Sequence, residues 1–530
     1  MYLGSFNGRS LSFETMYSSH LHIKEKKAEC IFVGELLSTE EDVLHAVNKF
    51  ITDQRVEHLL FLRGNYQSIL LYNHQLWLLS DLGNVRPIYY TQRMDQILFS
   101  SHLTPIHEFV KSKINRSWLA RSLKTGGFHI ETETPFEKIN MIPGGFGLHI
   151  KNQGNRLFQA WNIDNECYIP FNIAQEKLRE ELTSSVLLRC NEKKITSDLS
   201  GGLDSSTITW IASKKHPVHS ITLIGKEEDE DCRIAKEIAN QNQNIEQTIL
   251  SPQEIPAIFT DMRRFYTDAP IPFLWSANKI KKKLIWAKKK RSDIHFNGEG
   301  GDTVLGADFA YLTDLLHQGK WKTFLTHSVG WARERAQSPW KWMHNAFYSA
   351  FSHSSKPKHL ADWYTFSQSI PRMQYSKYLG QSCTLLGIHY LGYVSHGLKD
   401  LAIKENINLC VPYLDHNVLR ICLKVRSEEK MNPNLFKPLL KKAFKEELPD
   451  CLLNRNTKGD YTADVYDGMK RNHQFFQNDF KSMYLSDLGL IDLYQFQEAI
   501  KRLELGVPVK LFYFQQTLAL EMWLRKTKIF

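Results

Sequence analysis

The 530-residue sequence predicts an α/β protein of two domains: a β-rich N-terminal part, then a parallel sheet with a helical C-terminal part. Three observations carry this expectation. The first 160 residues hold short runs rich in β-branched and aromatic residues, split by turn residues. From Lys194 onward strand and helix patterns alternate, as in a parallel sheet covered by helices on both faces. A glycine-rich turn falls where one of those strands ends and a helix begins.

The N-terminal runs are Glu29 to Gly34, His58 to Leu62, Gln67 to Tyr72, Leu76 to Ser80, Ile97 to Ser100 and Gly145 to Ile150. They read as a mainly antiparallel sheet with few helices. After Trp161 to Pro170 the pattern changes, and Leu178, Leu182 and Val186 mark a helix with apolar residues four apart. The domain boundary is placed there, with 1–160 as the first domain, 161–175 as a linker and 176–530 as the second. Further on come a strand ending at Leu199, a helix from about Asp204, a strand at Val218 to Ile224, a helix through Ile234 and Ile238, and a strand at Ile294 to Asn297. Helical patterns at Phe436 to Lys445 and Leu511 to Leu524 close the chain.

A hydrophobic share of 42% with 23% charged residues is that of a soluble globular protein, and no 20-residue apolar run or N-terminal signal-like segment occurs. A cytoplasmic protein without stable membrane insertion is expected. The eight cysteines are scattered without a CxxC pair, which excludes a structural zinc cluster of cysteines and suits reduced, buried thiols. The formal charge of +10 is modest for this length and does not by itself call for nucleic acid. Its densest stretch, Lys279 to Arg291, carries Ile280, Leu284 and Ala287 at helical spacing, so its lysines are expected to cover the outer face of an amphipathic helix.

Two turns carry chemistry. In Ser197-Asp198-Leu199-Ser200-Gly201-Gly202-Leu203-Asp204-Ser205-Ser206 the glycines let the backbone turn tightly, and the N–H groups opening the helix face an anion. No Gly-Lys-Ser/Thr follows, so the loop is not built for γ-phosphoryl transfer. In the second turn, Asn297-Gly298-Glu299-Gly300-Gly301-Asp302, two acids within glycines can approach a metal-phosphate group closely.

The first loop resembles the SGGxDS pyrophosphate loop of the N-type ATP pyrophosphatases. Nearly the whole chain is similar to the asparagine synthetases through Ser80-Asp81-Leu82-Gly83, Arg86-Pro87-Ile88-Tyr89-Tyr90, Pro143-Gly144-Gly145, Asp268-Ala269-Pro270, the GEGGD turn, Pro412-Tyr413-Leu414-Asp415 and Arg455-Asn456-Thr457-Lys458-Gly459. The resemblance implies an Ntn-type glutamine-amidotransferase-like domain over 1–160 and an adenine nucleotide α-hydrolase-like synthetase domain over 176–530. It implies ATP and Mg²⁺ as cofactors, with pyrophosphate held by Leu199 to Ser206 together with Gly298, Gly300 and Gly301. Mg²⁺ would be organised by Asp204 and Asp302, and Glu299, Asp302 and Lys458 would be the catalytic residues.

Glutamine-hydrolysing members expose a cysteine directly after the initiator methionine, whereas this chain begins Met1-Tyr2, so glutamine is not expected to be its nitrogen source by that route. Asp302-Thr303 stands where many asparagine synthetases carry Asp-Glu. Thr457 to Asp464, Gly468 to Asn472 and Leu488 to Asp492 resemble the lasso-peptide macrolactam synthetases. That branch implies a precursor peptide as substrate, closed into an isopeptide ring between its α-amine and an Asp or Glu side chain, with leader-binding and leader-cleaving proteins as partners and no nucleic acid. A small-molecule lactam synthetase, an ammonia-dependent asparagine synthetase, a tRNA-modifying pyrophosphatase and a non-catalytic scaffold are the alternatives. The Trp-rich stretch from His317 to Tyr378 reads either as helix packing or as a peptide groove.

Overall fold

The computed structural model describes residues 1–527 apart from 16–19, 26, 95, 128–131, 152–153, 226–228, 353–359, 367–373 and 456–461. The N-terminal part holds two antiparallel sheets. One orders its strands as Leu11–Thr15, Tyr2–Phe6, Gln96–Ser100, Ile88–Arg93, Asn140–Ile142. The other runs Gly154–Gln159, Phe146–Lys151, Gln75–Leu79, Gly64–Tyr72, Ala28–Leu36, His20–Glu25.

Alternation along one strand explains the layering. Ile31 and Val33 enter the core between the two sheets with Tyr2, Phe6, Ile69 and Leu78, while Cys30 and Phe32 point the other way. There they meet Val43, Val47 and Phe50 of the helix Glu40–Asp53, which a Thr39/Asp42 capping box opens. The helix Leu103–Val110 covers the opposite sheet through Leu103 and Ile106. Five of the six expected strands occur. His58 to Leu62 is instead a short helix at Glu57–Leu60, because Tyr66 Oη donates to Leu59 O and accepts from Leu62 N, folding this apolar run back on itself.

The helix marked by Leu178, Leu182 and Val186 runs Phe171–Cys190 and buries all three. A five-stranded parallel sheet follows, ordered Ile245–Leu250, Val218–Leu223, Ile195–Asp198, Ile294–Phe296, Asn408–Cys410. Its order reverses between Ile195–Asp198 and Ile294–Phe296, and ligands of open α/β sheets bind beyond the carboxyl ends of strands at such a point. The strands at 245–250 and 408–410 carried no sequence expectation. Within the Trp-rich stretch, Trp331 and Trp363 are buried whereas Trp321 and Trp340 are exposed, so packing explains part of it only. Among the described residues no helix is long and apolar enough to cross a membrane.

The two halves share a buried ion network. Glu35, at the end of its strand, accepts from Arg189 Nε at 2.7 Å and Lys399 Nζ at 2.9 Å, with Arg86 Nη2 at 3.5 Å. Arg189 in turn grips Asp415 through both terminal nitrogens at 2.7 and 2.8 Å. Burial pushes the Glu35 carboxyl up, but Lys399, Arg189 and Arg86 outweigh it and hold the group well below the ordinary carboxylate range. Removing one partner of such a network leaves an uncompensated buried charge, which costs about 3–5 kcal/mol. Glu35→Gln keeps the shape and removes the charge, so urea unfolding should give a loss of about that size; a change under about 1 kcal/mol would show that the network does not bind the halves together.

Candidate active site

Beyond the carboxyl ends of Ile195–Asp198 and Ile294–Phe296 lies a cavity of about 320 Å³. One wall is polar and includes Ser200, Asp204, Ser205, Glu299, Asp302, Lys437 and Arg455; the other is apolar, with Phe273, Leu284, Val394, Leu398 and Phe436. The helix Leu203–Ser213 starts at this wall with Gly202 as its N-cap and no side-chain cap, so its first-turn N–H groups are not taken by a capping side chain. Ser200 Oγ lies 2.8 Å from Ser205 Oγ and accepts from Gly202 N at 3.1 Å, which shapes the loop from within.

The two glycine turns pack on each other, and this is why they need glycine. Gly201 has φ +76°, and a Cβ there would sit 1.9 Å from Asp231 O. A Cβ on Gly298 would meet Ser205 N at 2.7 Å, and one on Gly301 would meet the Asp204 carboxyl at 2.4 Å. Close approach brings the acids together. Lys437 Nζ lies 2.5 Å from Asp204 Oδ2 and 2.5 Å from Asp302 Oδ1, so those two oxygens are at most about 5 Å apart. Burial pulls the Lys437 ammonium down, but the attraction of Asp204 and Asp302 outweighs it and raises its pKa.

Two further cations are held in the same fashion. Arg455 donates to Gly201 O and to Asp231 Oδ1. Lys283 Nζ is 2.7 Å from Asp198 Oδ2, whose Oδ1 lies 3.2 Å from His295 Nε2. Burial raises the Asp198 carboxyl, yet Lys283 and His295 together hold it far below the usual range. The lysine run therefore departs from a purely solvated face: Lys283 turns into the cavity, and Lys279 reaches Asp464 at 2.6 Å.

Of the residues expected from sequence, Ser200, Gly202, Leu203, Asp204, Ser205, Gly298, Glu299 and Asp302 line the cavity. Leu199 is buried in the sheet, where its N–H donates to Ile221 O, and Ser206 is fully buried behind the loop. Gly201, Gly300 and Gly301 act as packing surfaces, Gly300 against Leu414. Lys458 lies outside the described residues; on either side of it Arg455 borders the cavity and Asp464 pairs with Lys279. Lys437, Asp198, His295 and Lys283 carried no site expectation. Lys437 sits in a stretch that reads as plain helix, and only the following Pro438, which opens the helix Pro438–Ala443, hints at a turn.

The family model for asparagine synthase matches residues 177–525, the part that contains both turns and every cavity residue just described. The chain belongs to the asparagine synthase family. Asparagine synthetase (glutamine-hydrolyzing) 1 of Bacillus subtilis (strain 168) is 25% identical over 490 residues, which cover 81% of this chain and 75% of that protein. Asparagine synthetase (glutamine-hydrolyzing) 3 of the same strain is 22% identical over 71% of this chain and 63% of its own length. The amidase chry2 of Gibberella zeae is 21% identical over 56% of the chain and 47% of its own length. Among solved structures, a glutamine phosphoribosylpyrophosphate amidotransferase from B. subtilis covers 49% of the chain at a TM-score of 0.21 and 10% identity, too remote to bear on the site.

This asparagine synthase family member is thus an ATP-dependent amide-forming ligase. Two hard carboxylate oxygens, Asp204 and Asp302, close enough to share one small cation, fit the donor chemistry of Mg²⁺ with phosphate and water completing its shell. Lys437→Met keeps the stem and removes the cation that joins the acids. ATP–pyrophosphate exchange should fall by about 10²–10³ while circular dichroism stays unchanged; exchange within threefold of wild type would place Lys437 outside the chemistry.

Proposed function

We propose that the protein is a macrolactam (isopeptide) synthetase that adenylates an Asp or Glu side chain of a precursor peptide and closes the ring with the peptide's own α-amine. In this reading the N-terminal half has an Ntn-type fold that no longer hydrolyses glutamine, and the second half is an N-type ATP pyrophosphatase. The observation that carries it concerns nitrogen supply. Residues 1–160 contain one cysteine, Cys30, which is buried with its thiol pushed well up by burial, the state of an inert structural cysteine. An amine from the substrate replaces ammonia from glutamine. The resemblance of Thr457 to Asp464 and Leu488 to Asp492 to lasso-peptide cyclases supports a peptide as that substrate.

The chemistry divides into two displacements. A carboxylate oxygen attacks the α-phosphorus of ATP, pyrophosphate departs, and an acyl-adenylate remains. The amine nitrogen then attacks the acyl carbon, loses a proton, and AMP leaves with the C–O electron pair. The N–H groups opening Leu203–Ser213 and the hydroxyls of Ser200 and Ser205 would cradle the departing pyrophosphate. Lys437, Arg455 and Lys283 stand preset around it, each now paired with a carboxylate that a phosphate chain can replace. Mg²⁺ held by Asp204 and Asp302 would neutralise phosphate charge. Phe273, Leu284 and Phe436 offer an apolar face for the base, and both reacting groups of one bound peptide meet as a unimolecular pair. Lys458 would stabilise the oxyanion of the second step. Leader-binding and leader-cleaving proteins would supply the peptide.

Incubation with ATP, Mg²⁺ and a leaderless peptide bearing a free α-amine and an Asp or Glu several residues on should yield AMP, pyrophosphate and a product 18 Da lighter than the peptide, without glutamine. Turnover with free aspartate and ammonia, but not with peptide, would favour the asparagine-forming alternative. Lys458→Met should still release pyrophosphate in one turnover and accumulate acyl-adenylate, trapped by hydroxylamine as a hydroxamate, while ring closure drops about 10²–10³-fold. Equal loss in both half-reactions would assign Lys458 to phosphate binding.

A further inference from the structure

The long helix Leu379–Ile403 has two working faces. Val394 and Leu398 line the nucleotide cavity, whereas His396 and Asp400, four residues apart and set about 200° around the helix from them, look toward the N-terminal half. There His102, the residue before the helix Leu103–Val110, completes a group whose ligand atoms all lie within 4.8 Å of one another. His102 Nε2 is 3.0 Å from Asp400 Oδ1, and the two imidazole rings stand 5.0 Å apart.

We infer that His102, His396 and Asp400 form a binding site for Zn²⁺ or a similar borderline divalent ion, which fastens the N-terminal half to the helix Leu379–Ile403. Each imidazole is already oriented by its other nitrogen, as metal-ligating histidines usually are: His102 Nδ1 is 2.8 Å from Ser101 Oγ, and His396 bonds to the Val85 backbone. That leaves His396 Nε2, in a side chain only 6% exposed, with no hydrogen-bond partner. A buried ring nitrogen without a partner is costly, and a metal ion satisfies it.

The donor set selects the ion. Two imidazole nitrogens and one carboxylate oxygen suit zinc, with water in the fourth tetrahedral position, and they disfavour Mg²⁺ and Ca²⁺, which want oxygen throughout. Asp268 adds negative charge beside the group without joining it, because its carboxylate accepts from Leu103 N and Thr104 N at 2.5 and 2.8 Å. Zn–N bonds of about 2.0–2.1 Å require the three ligand atoms to close up by roughly 1 Å, within reach of side-chain rotation. His102 and Asp400 then exchange their hydrogen bond for two metal bonds, and one proton is released. The site lies on the opposite face of the helix from the nucleotide cavity and takes no part in adenylation.

The test uses the full chain, stripped with a chelator and titrated with Zn²⁺ by calorimetry, with metal content measured after desalting. One equivalent should bind to the wild type and raise its melting temperature. His396→Gln from one half and His102→Gln from the other should each weaken binding by more than about 100-fold and abolish the thermal shift, while Asp204→Asn leaves the stoichiometry at one. Co²⁺ should give the visible absorption of a tetrahedral ion with the wild type, a reading that needs no variant. Failure of the wild type to hold a stoichiometric ion, or equal binding by His396→Gln, would overturn the assignment.

Discussion

Glu35 holds together parts of the chain that lie more than 350 residues apart. Its carboxylate meets Arg189 from the helix Phe171–Cys190 and Lys399 from the helix Leu379–Ile403 in a place with almost no water. A charge so placed tolerates one arrangement of its partners, because any other leaves a buried ion uncompensated. Arg189 passes the constraint on to Asp415. The network fixes where the two halves meet more than it adds to their stability.

From Asp415 the constraint reaches the cavity within two residues. Leu414 O accepts from Asn65 Nδ2 of the N-terminal sheet at 2.8 Å, and Tyr413 Oη donates to Asp204 O at 3.1 Å. Gly300 of the second turn packs on the Leu414 side chain. Pro412 to Asp415 therefore sits between the N-terminal sheet, the phosphate loop and the acidic turn, and a shift of any one of them disturbs the others. A half whose only cysteine is inert keeps a structural task for this reason: it supports the backbone on which the two acids converge.

How much of this could be read from the chain depends on the range of the interactions. Period-two runs such as Gln67 to Tyr72 and the helix marked by Leu178, Leu182 and Val186 are local patterns and emerged at nearly their observed positions. His58 to Leu62 misled because a five-residue apolar run fits a buried strand or a helical turn equally well, and Tyr66 decides between them from outside the run. Asp204, Glu299 and Asp302 were legible because glycine-rich turns mark the approach of backbone to a ligand. Lys437 was not: its partners are 233 and 135 positions away, and nothing near it in the sequence distinguishes it from Lys441 or Lys442. The cavity-facing turn of Lys283 was hidden similarly, since a lysine-rich helix reveals its outward face and not which lysine Asp198 draws inward.

The helix Leu379–Ile403 contributes the last part of the domain interface to be synthesised. Gly392 lets it approach so closely that a Cβ there would lie 1.8 Å from Gly83 O, so the N-terminal half is shaped to a neighbour that does not yet exist when residue 160 leaves the ribosome. At about 5–20 residues per second the intervening 243 residues, 403 minus 160, take roughly 12–50 s. During that interval Glu35 is solvated and the apolar surface around Gly83 is open to water. The nascent chain thus exposes for tens of seconds the surface on which its finished form is assembled, and slow codons or a chaperone acting between residues 160 and 403 would govern how much of it folds.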